Sequence, residues 1–290
     1  MRILHIDTGH EMRGGQWQVL HLMQGLAQRR VISSLLAPAG SELFRAARSA
    51  GLDARPLNPW TAPLVARGFD LLHVHDARAH SLSLLCPRPV LVSRRVGFPV
   101  RSRWKYARAT HYLAISEYVR GTLLKAGVDA ARISIVYDGV RVPEPLPSGD
   151  RDLIVALDSD DPGKGQALIQ QLGFPICFSR NLIDDLPRAA VFLYISELEG
   201  LGSAALLAMA YGAAVVASRV GGLPEIVRDD ETGVLTSNDP AAIRAAVSGL
   251  MGDARRRARL AAAGRQMVEQ RFTVERMVED TMQVYQRLKA

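Results

Sequence analysis

The chain has 290 residues, 48% of them hydrophobic and 22% charged, a composition that excludes a disordered, collagenous or coiled-coil protein and fits two globular domains. The longest apolar stretch, 204–217, is interrupted by Tyr211 and Gly212 and is shorter than the roughly 20 residues of a membrane-spanning helix. The formal charge is +7, yet only four of the 36 basic residues are lysine, so the balance follows arginine usage and is not read as a nucleic-acid signal.

The first seven residues contain no apolar core of signal-peptide length, which gives the expectation of a cytoplasmic chain. Cys86 and Cys177 lie far apart and outside any CxxC pair, so neither a disulfide framework nor a zinc site is expected. β-rich runs alternate with helical patterns from end to end, the rhythm of parallel sheets with crossover helices. A strand over 3–7 leads through the turn Arg13-Gly14-Gly15 into a helix over 16–29. Strands are expected at 32–36, 71–75, 90–93, 111–115 and 133–137, with a helix over 117–126 behind Ser116 as N-cap. The proline-rich run 142–149 has the composition of a linker, and the domain boundary is placed within it, giving domains 1–145 and 146–272. The second half repeats the rhythm: strands at 153–157, 176–179, 191–195 and 214–217, helices from 166, near 182 and over 203–211, then helices over 253–270 and 273–288.

In open parallel sheets, ligands bind beyond the carboxyl ends of the strands, and four loops of interest lie there. Gly14 and Gly15 let backbone N–H groups at a helix start approach an anion. His73 and His75 end a strand and share one face. A metal pair is conceivable there, but no third ligand is close in sequence and none is expected. Lys164, between Gly163 and Gly165, offers a compact charge at a helix start without the spacing of a nucleotide triphosphatase loop. Finally, Glu199-Gly200-Leu201-Gly202-Ser203-Ala204 puts a carboxylate in a glycine turn ahead of a helix whose N–H groups can hold a diphosphate.

That last segment continues to Ala208-Met209-Ala210-Tyr211-Gly212, then to Val215-Val216-Ala217-Ser218, Gly221-Gly222-Leu223-Pro224-Glu225-Ile226-Val227 and Thr232-Gly233-Val234-Leu235. It resembles the C-terminal signature of the retaining GT-B glycosyltransferases of family 4. The Gly14-Gly15 turn, His73-Val74-His75, Ile115-Ser116-Glu117 and Asp138-Gly139-Val140, in place of the usual asparagine-glycine-valine, extend the resemblance over nearly the whole chain.

The resemblance implies an α/β fold of GT-B type: two Rossmann-like doubly wound domains facing a cleft, the second reduced, with a final helix over 273–290 packing back on the first. It implies a nucleotide diphospho-sugar donor, a saccharide or lipid-linked acceptor in cell-envelope synthesis, and no metal or other cofactor. His75, Glu199 and Lys164 fall on catalytic positions, and Gly14, Gly15, Gly200, Gly202, Ser203, Ala204 and Leu207 on donor-binding ones. The sequence departs from the family's pattern at three points. Leu207 stands where a second acid normally takes the ribose hydroxyls. Ala156-Leu157-Asp158 replaces the arginine usual after the first strand of the second domain, and only sixty residues separate Gly139 from Glu199.

Two other classes stay open: a catalytically impaired GT-B scaffold, and an NADP-binding oxidoreductase using Gly200, Gly202 and Ala205 with Arg219 for a 2′-phosphate. The run 94–108 holds six basic residues and no acid. Arg94, Arg95, Arg101, Arg103 and Lys105 are accordingly read as a face for an anionic acceptor or for peripheral contact with the inner membrane, with a solvated basic surface as the plainer alternative.

Overall fold

The computed structural model describes residues 1–146 and 150–289. Part of the expected linker (Pro147, Ser148 and Gly149) and the last residue of the expected final helix, Ala290, lie outside them. The chain divides into two compact units, residues 1–138 with the last helix, and residues 139–273.

In the first unit the elements run β1 (Arg2–Ile6), α1 (Gly14–Gln28), β2 (Ile32–Ala37), α2 (Glu42–Ser49), β3 (Ala54–Pro56), α3 (Ala62–Ala66), β4 (Leu71–Val74), α4 (Ala77–Ser83), β5 (Val90–Arg94), α5 (Arg103–Arg108), β6 (His111–Ala114), α6 (Glu117–Lys125) and β7 (Ile133–Ile135). The seven strands form one parallel sheet, ordered β3-β2-β1-β4-β5-β6-β7. Sequence order reverses between β1 and β4, where a doubly wound sheet opens its ligand crevice. Strands buried on both faces read as apolar runs, and β4 and β5 are buried throughout.

The second unit runs β8 (Leu153–Leu157), α7 (Gln166–Gln170), β9 (Ile176–Ser179), α8 (Leu182–Asp185), β10 (Ala189–Tyr194), α9 (Ser203–Ala210), β11 (Ala214–Ser218), α10 (Leu223–Ile226), β12 (Val234–Thr236), α11 (Pro240–Gly252) and α12 (Ala254–Arg271). Its sheet has five strands, β12-β11-β10-β8-β9, two fewer than the first. Two strands absent from the sequence reading, β3 and β12, have three residues each.

The chain passes between units at Asp138, ahead of the proline-rich run. Val140 pairs with Thr273 and its N–H donates to the Phe272 carbonyl, while Arg265 Nη2 donates to the Pro143 carbonyl. These contacts hold 140–143 to the second unit. The last helix, α13 (Val274–Lys289), belongs to the first. Its Met277, Val278, Val284 and Tyr285 are buried among Ile3, Leu22, Leu26 and Leu71, each large apolar side chain stabilising the fold by about 1.5–3 kcal/mol.

Candidate active site

Six α-helices are capped by a side chain: Ser41, Asp76, Ser102, Ser116, Asp239 and Asp253 each accept from a backbone N–H of the first turn. Among the helices without such a cap are α1 and α9, each of which follows a glycine turn. Arg13 ahead of α1 and Gly202 ahead of α9 make no side-chain cap, and neither first turn holds an acid. Their leading N–H groups and positive dipole ends are thus left for an anion.

In the first unit, parallel register sets His5 of β1 beside His73 of β4, and His75 follows two residues on. All three are buried. His5 Nδ1 and His75 Nε2 share one hydrogen bond at 3.0 Å, while His73 joins Tyr285 Oη at 2.6 Å through Nδ1 and Ser93 Oγ at 2.7 Å through Nε2. Burial pushes His5 down to about 3 and holds His73 and His75 well below the usual imidazole range, so the cluster is neutral at pH 7. His75, expected at the mouth of a crevice, is only 6% exposed. The third histidine that sequence spacing could not supply is His5. One ring nitrogen from each of the three can lie within 4.8 Å of the others, a grouping open in principle to a metal. Both nitrogens of His73 are nevertheless spent on Tyr285 and Ser93, and among the described residues no carboxylate joins the group to offset a cation's charge.

Asp7, at the end of β1, accepts from Gly9 N at 2.9 Å and Gln16 Nε2 at 3.1 Å; burial pushes its carboxyl above the usual range. Arg95, just past β5, pairs with Asp138 and runs under the glycine turn, where a Cβ at Gly15 would stand 3.5 Å from Arg95 Cδ. Burial lowers the Arg95 guanidinium to about 10, with Asp7 opposing.

This corrects the reading of 94–108 as one basic surface. Arg94 is 7% exposed and donates to Tyr106 Oη and the Phe98 carbonyl, and Arg95 is enclosed with Asp138. Both lie at the end of a buried strand, where a guanidinium persists only with partners. Arg101 and Arg103 are exposed, and Arg103 Nε donates to the Ala126 carbonyl. Lys105 Nζ is half-buried against the Ala77 carbonyl and Ser81 Oγ. Val96, Phe98 and Trp104 are exposed beside them in sequence.

In the second unit, the carboxyl ends of β8 and β10 bring Lys164 and Glu199 together. Lys164 sits on a one-turn 3₁₀ helix, Pro162–Lys164, and its Nζ pairs with Glu199 Oε1. Tyr194 Oη donates to the same oxygen at 2.9 Å and lies 3.4 Å from Lys164 Nζ. The two loops are tied through one backbone oxygen: the Gly163 carbonyl accepts from Glu197 N at 2.9 Å and Ser196 Oγ at 3.1 Å. Sequence reading placed Lys164 and Glu199 on separate loops; the structure joins them in one triad with Tyr194, which it had not singled out.

The glycine pair at 221–222 secures this triad from outside. A Cβ on Gly221 would lie 2.0 Å from the Glu199 carbonyl oxygen, and one on Gly222 2.2 Å from that of Gly200. Gly221 has φ +55° and Gly222 N donates to the Glu199 carbonyl at 3.1 Å, so the loop bearing Glu199 rests directly on bare backbone. Beyond it, Gly200 and Gly202 are buried, while Ser203, Ala204 and Leu207 are the partly exposed residues of α9. They form one face at i, i+1 and i+4, which presents Leu207 beside the helix N-terminus.

The missing arginine after β8 has a counterpart one strand over. Arg180, following β9, donates from Nε to Asp158 at 2.5 Å and is otherwise exposed. Arg219, which an NADP-binding reading requires for a 2′-phosphate, is engaged by Asp229 at 2.5 Å.

Two doubly wound parallel sheets with flanking helices define the GT-B fold, and the comparisons with known proteins agree. Residues 12–142 match the family described as Glycosyltransferase Family 4, and residues 176–267 match Glycosyl transferases group 1. The structure of Anabaena HepE in complex with UDP and glucose superposes over 100% of both chains with a TM-score of 0.86 at 15% identity. Sucrose-phosphate synthase of Thermosynechococcus elongatus covers 99% of both with a TM-score of 0.80 at 17%. Among curated sequences, alpha-maltose-1-phosphate synthase of Mycolicibacterium smegmatis is 39% identical over 112 residues, 36% of this chain and 29% of that protein. D-inositol 3-phosphate glycosyltransferase of Salinispora tropica is 44% identical over 107 residues, 35% and 22% of the two. The matched stretch spans less than a third of these relatives. No helix among the described residues is long and apolar enough to cross a membrane.

Proposed function

We propose that this chain transfers a glycosyl unit from a nucleotide diphospho-sugar to a saccharide or lipid-linked acceptor, with retention at the anomeric carbon. The observation that carries the reading is the Lys164–Glu199–Tyr194 triad beside the uncapped start of α9. A donor diphosphate entering there accepts hydrogen bonds from the N–H groups of the first turn of α9 and draws Lys164 Nζ from its carboxylate. Glu199 is thereby freed to accept from hydroxyls of the sugar. Departure of the nucleoside diphosphate leaves negative charge on its oxygens, and a fixed ammonium with helix N–H groups stabilises that charge where it develops. The protein supplies no nucleophile in this scheme and needs no metal. His75, neutral and able to donate or accept, and the Gly14-Gly15 turn are the first unit's proposed ligand-facing groups.

The two family matches and the HepE structure with UDP and glucose support a nucleotide-sugar donor. A role in cell-envelope synthesis goes with the exposed basic and aromatic residues Arg101, Arg103, Phe98 and Trp104, suited to an anionic acceptor or the anionic face of the inner membrane. Leu207 favours a second reading, a GT-B scaffold with impaired chemistry. A thermal-shift screen against UDP-, GDP- and ADP-sugars decides between them. One of these ligands raises the unfolding midpoint and is consumed if the enzyme reading holds, whereas no shift with any of them, and no turnover, leaves the scaffold.

A further inference from the structure

On the first unit, where β5 and β6 begin and so at the opposite sheet edge from His75 and Gly15, lies a pocket of about 340 Å³. Its size is that of small-molecule sites, which run from about 300 Å³ upward. His80, Ser83, Cys86, Arg88, Arg108 and Thr110 are among its walls. His80 is 1% exposed, and neither of its ring nitrogens has a hydrogen-bond partner among the described residues. Its ring is held edge-on to Tyr106 at 5.0 Å and Tyr112 at 6.1 Å, an apolar clamp that orients the imidazole and satisfies nothing polar. A buried imidazole with both nitrogens idle forfeits the hydrogen bonds it had in water. The two arginines are similarly underused. Arg88 Nη2 donates to the Arg67 carbonyl at 2.6 Å, Arg108 stacks on the Trp104 ring at 4.0 Å, and among the described residues neither meets a carboxylate.

We propose that this pocket binds a small phosphomonoester, its phosphate held by Arg88 and Arg108 and a hydroxyl of its carbon skeleton hydrogen-bonded to His80. Two planar guanidinium forks suit a dianion with three terminal oxygens. A neutral imidazole with one donor and one acceptor nitrogen suits an alcohol, which needs both. His80 is kept neutral by burial with Lys105 and Arg94 nearby, down to about 4, so it adds no third charge. The site is independent of the donor triad and of the transfer reaction.

The test is calorimetric titration of the full chain with glycerol 3-phosphate, glycerol being the neutral control, while His80 is followed by imidazole NMR. Expected are saturable binding to glycerol 3-phosphate alone, movement of the His80 resonances, and an affinity loss of about tenfold for Arg88→Ala or Arg108→Ala, the effect of one charged hydrogen-bond partner. Both arginines line the surface, and circular dichroism confirms that each variant is folded. Lys164→Ala retains the binding. No saturable binding overturns the proposal, as does binding that survives both arginine substitutions and disappears in Lys164→Ala, which would place the phosphate at α9. Vesicles with and without phosphatidic acid form a second arm: binding to the free ester alone assigns a soluble ligand, and binding to the acidic vesicles that needs the same arginines assigns a lipid headgroup.

Discussion

Replacement of Lys164 by alanine tests the donor site most directly. The substitution removes the ammonium that pairs with Glu199 and approaches Tyr194 Oη at 3.4 Å, and leaves the Gly163 backbone bonds that shape the loop in place. Its cost to the fold is small. Lys164 is 26% exposed, so solvent screens the pair and the loss is about 1 kcal/mol, near the upper end for accessible ion pairs. The cost to turnover is larger, because the negative charge this ammonium faces on the diphosphate grows as the nucleoside diphosphate departs. Removing one preorganised donor of this kind slows chemistry by about 10²–10³, or about 2.7–4 kcal/mol, and a fall of at least about tenfold in kcat/KM is expected even where the N–H groups of α9 compensate. The assay is initial-rate kinetics with the sugar nucleotide found by thermal shift, accompanied by the unfolding midpoint. A double-mutant cycle with Glu199→Gln then isolates the pairwise coupling, expected to be positive because both side chains share one oxygen contact. Wild-type turnover in a folded Lys164→Ala protein refutes the phosphate role outright.

Leu207→Glu restores a carboxylate to the exposed face of α9, and nucleotide affinity is expected to rise by about 1.5–3 kcal/mol, the value of a charge-assisted bond to ribose; equal or weaker binding by titration removes that reason for expecting low affinity. Gly221→Ala drives a methyl to 2.0 Å from the Glu199 carbonyl at φ +55° and should destabilise the protein by about 2–5 kcal/mol through strain and overpacking together; an unchanged midpoint means that the loop does not rest there. Asp138→Ala strands the enclosed Arg95 guanidinium, with an expected loss of about 3 kcal/mol in denaturant unfolding, whereas a loss below about 1 kcal/mol shows Asp7 sufficing as counter-ion. His5 and His80 have folded-state values of about 3 and 4, below that of the unfolded chain. Stability is therefore complete above about pH 6.5 and falls on acidification at up to about 1.4 kcal/mol per pH unit for each imidazole; a flat profile between pH 7.5 and 5 contradicts their neutral burial.

Ten of the twelve described strands and both glycine-led helix starts were legible because each depends on nearby residues: apolar runs for buried strands, Gly14-Gly15 and Gly200-x-Gly202 for the two helix starts. What escaped depends on partners far apart in the chain. Arg94 and Arg95 read as surface charges until β5 is seen to end in the interior and Asp138, 43 residues on, closes the pair. His5 is one residue of an apolar strand until register sets it against His73. Tyr194 looked like the end of a buried strand, and only the turn at Gly163 makes it part of the triad. Arg180 could have been noticed, since a basic residue directly after a strand lies at the ligand-binding edge.

The placement of α13 bears on how the molecule is made. The second unit is a continuous 139–273 insertion between two pieces of the first, so during synthesis it has all its own strands and helices before the first unit has its last. Until α13 is translated, Ile3, Leu22, Leu26 and Leu71 lack the apolar cover of Met277, Val278 and Tyr285, and His73 lacks its bond to the Tyr285 hydroxyl. The nascent amino-terminal sheet must therefore wait, sticky and incomplete, while about 135 residues leave the ribosome, exposing apolar surface of the kind that chaperones shield. Loss of α13 would be felt at the far end of the sequence, in the unit made first.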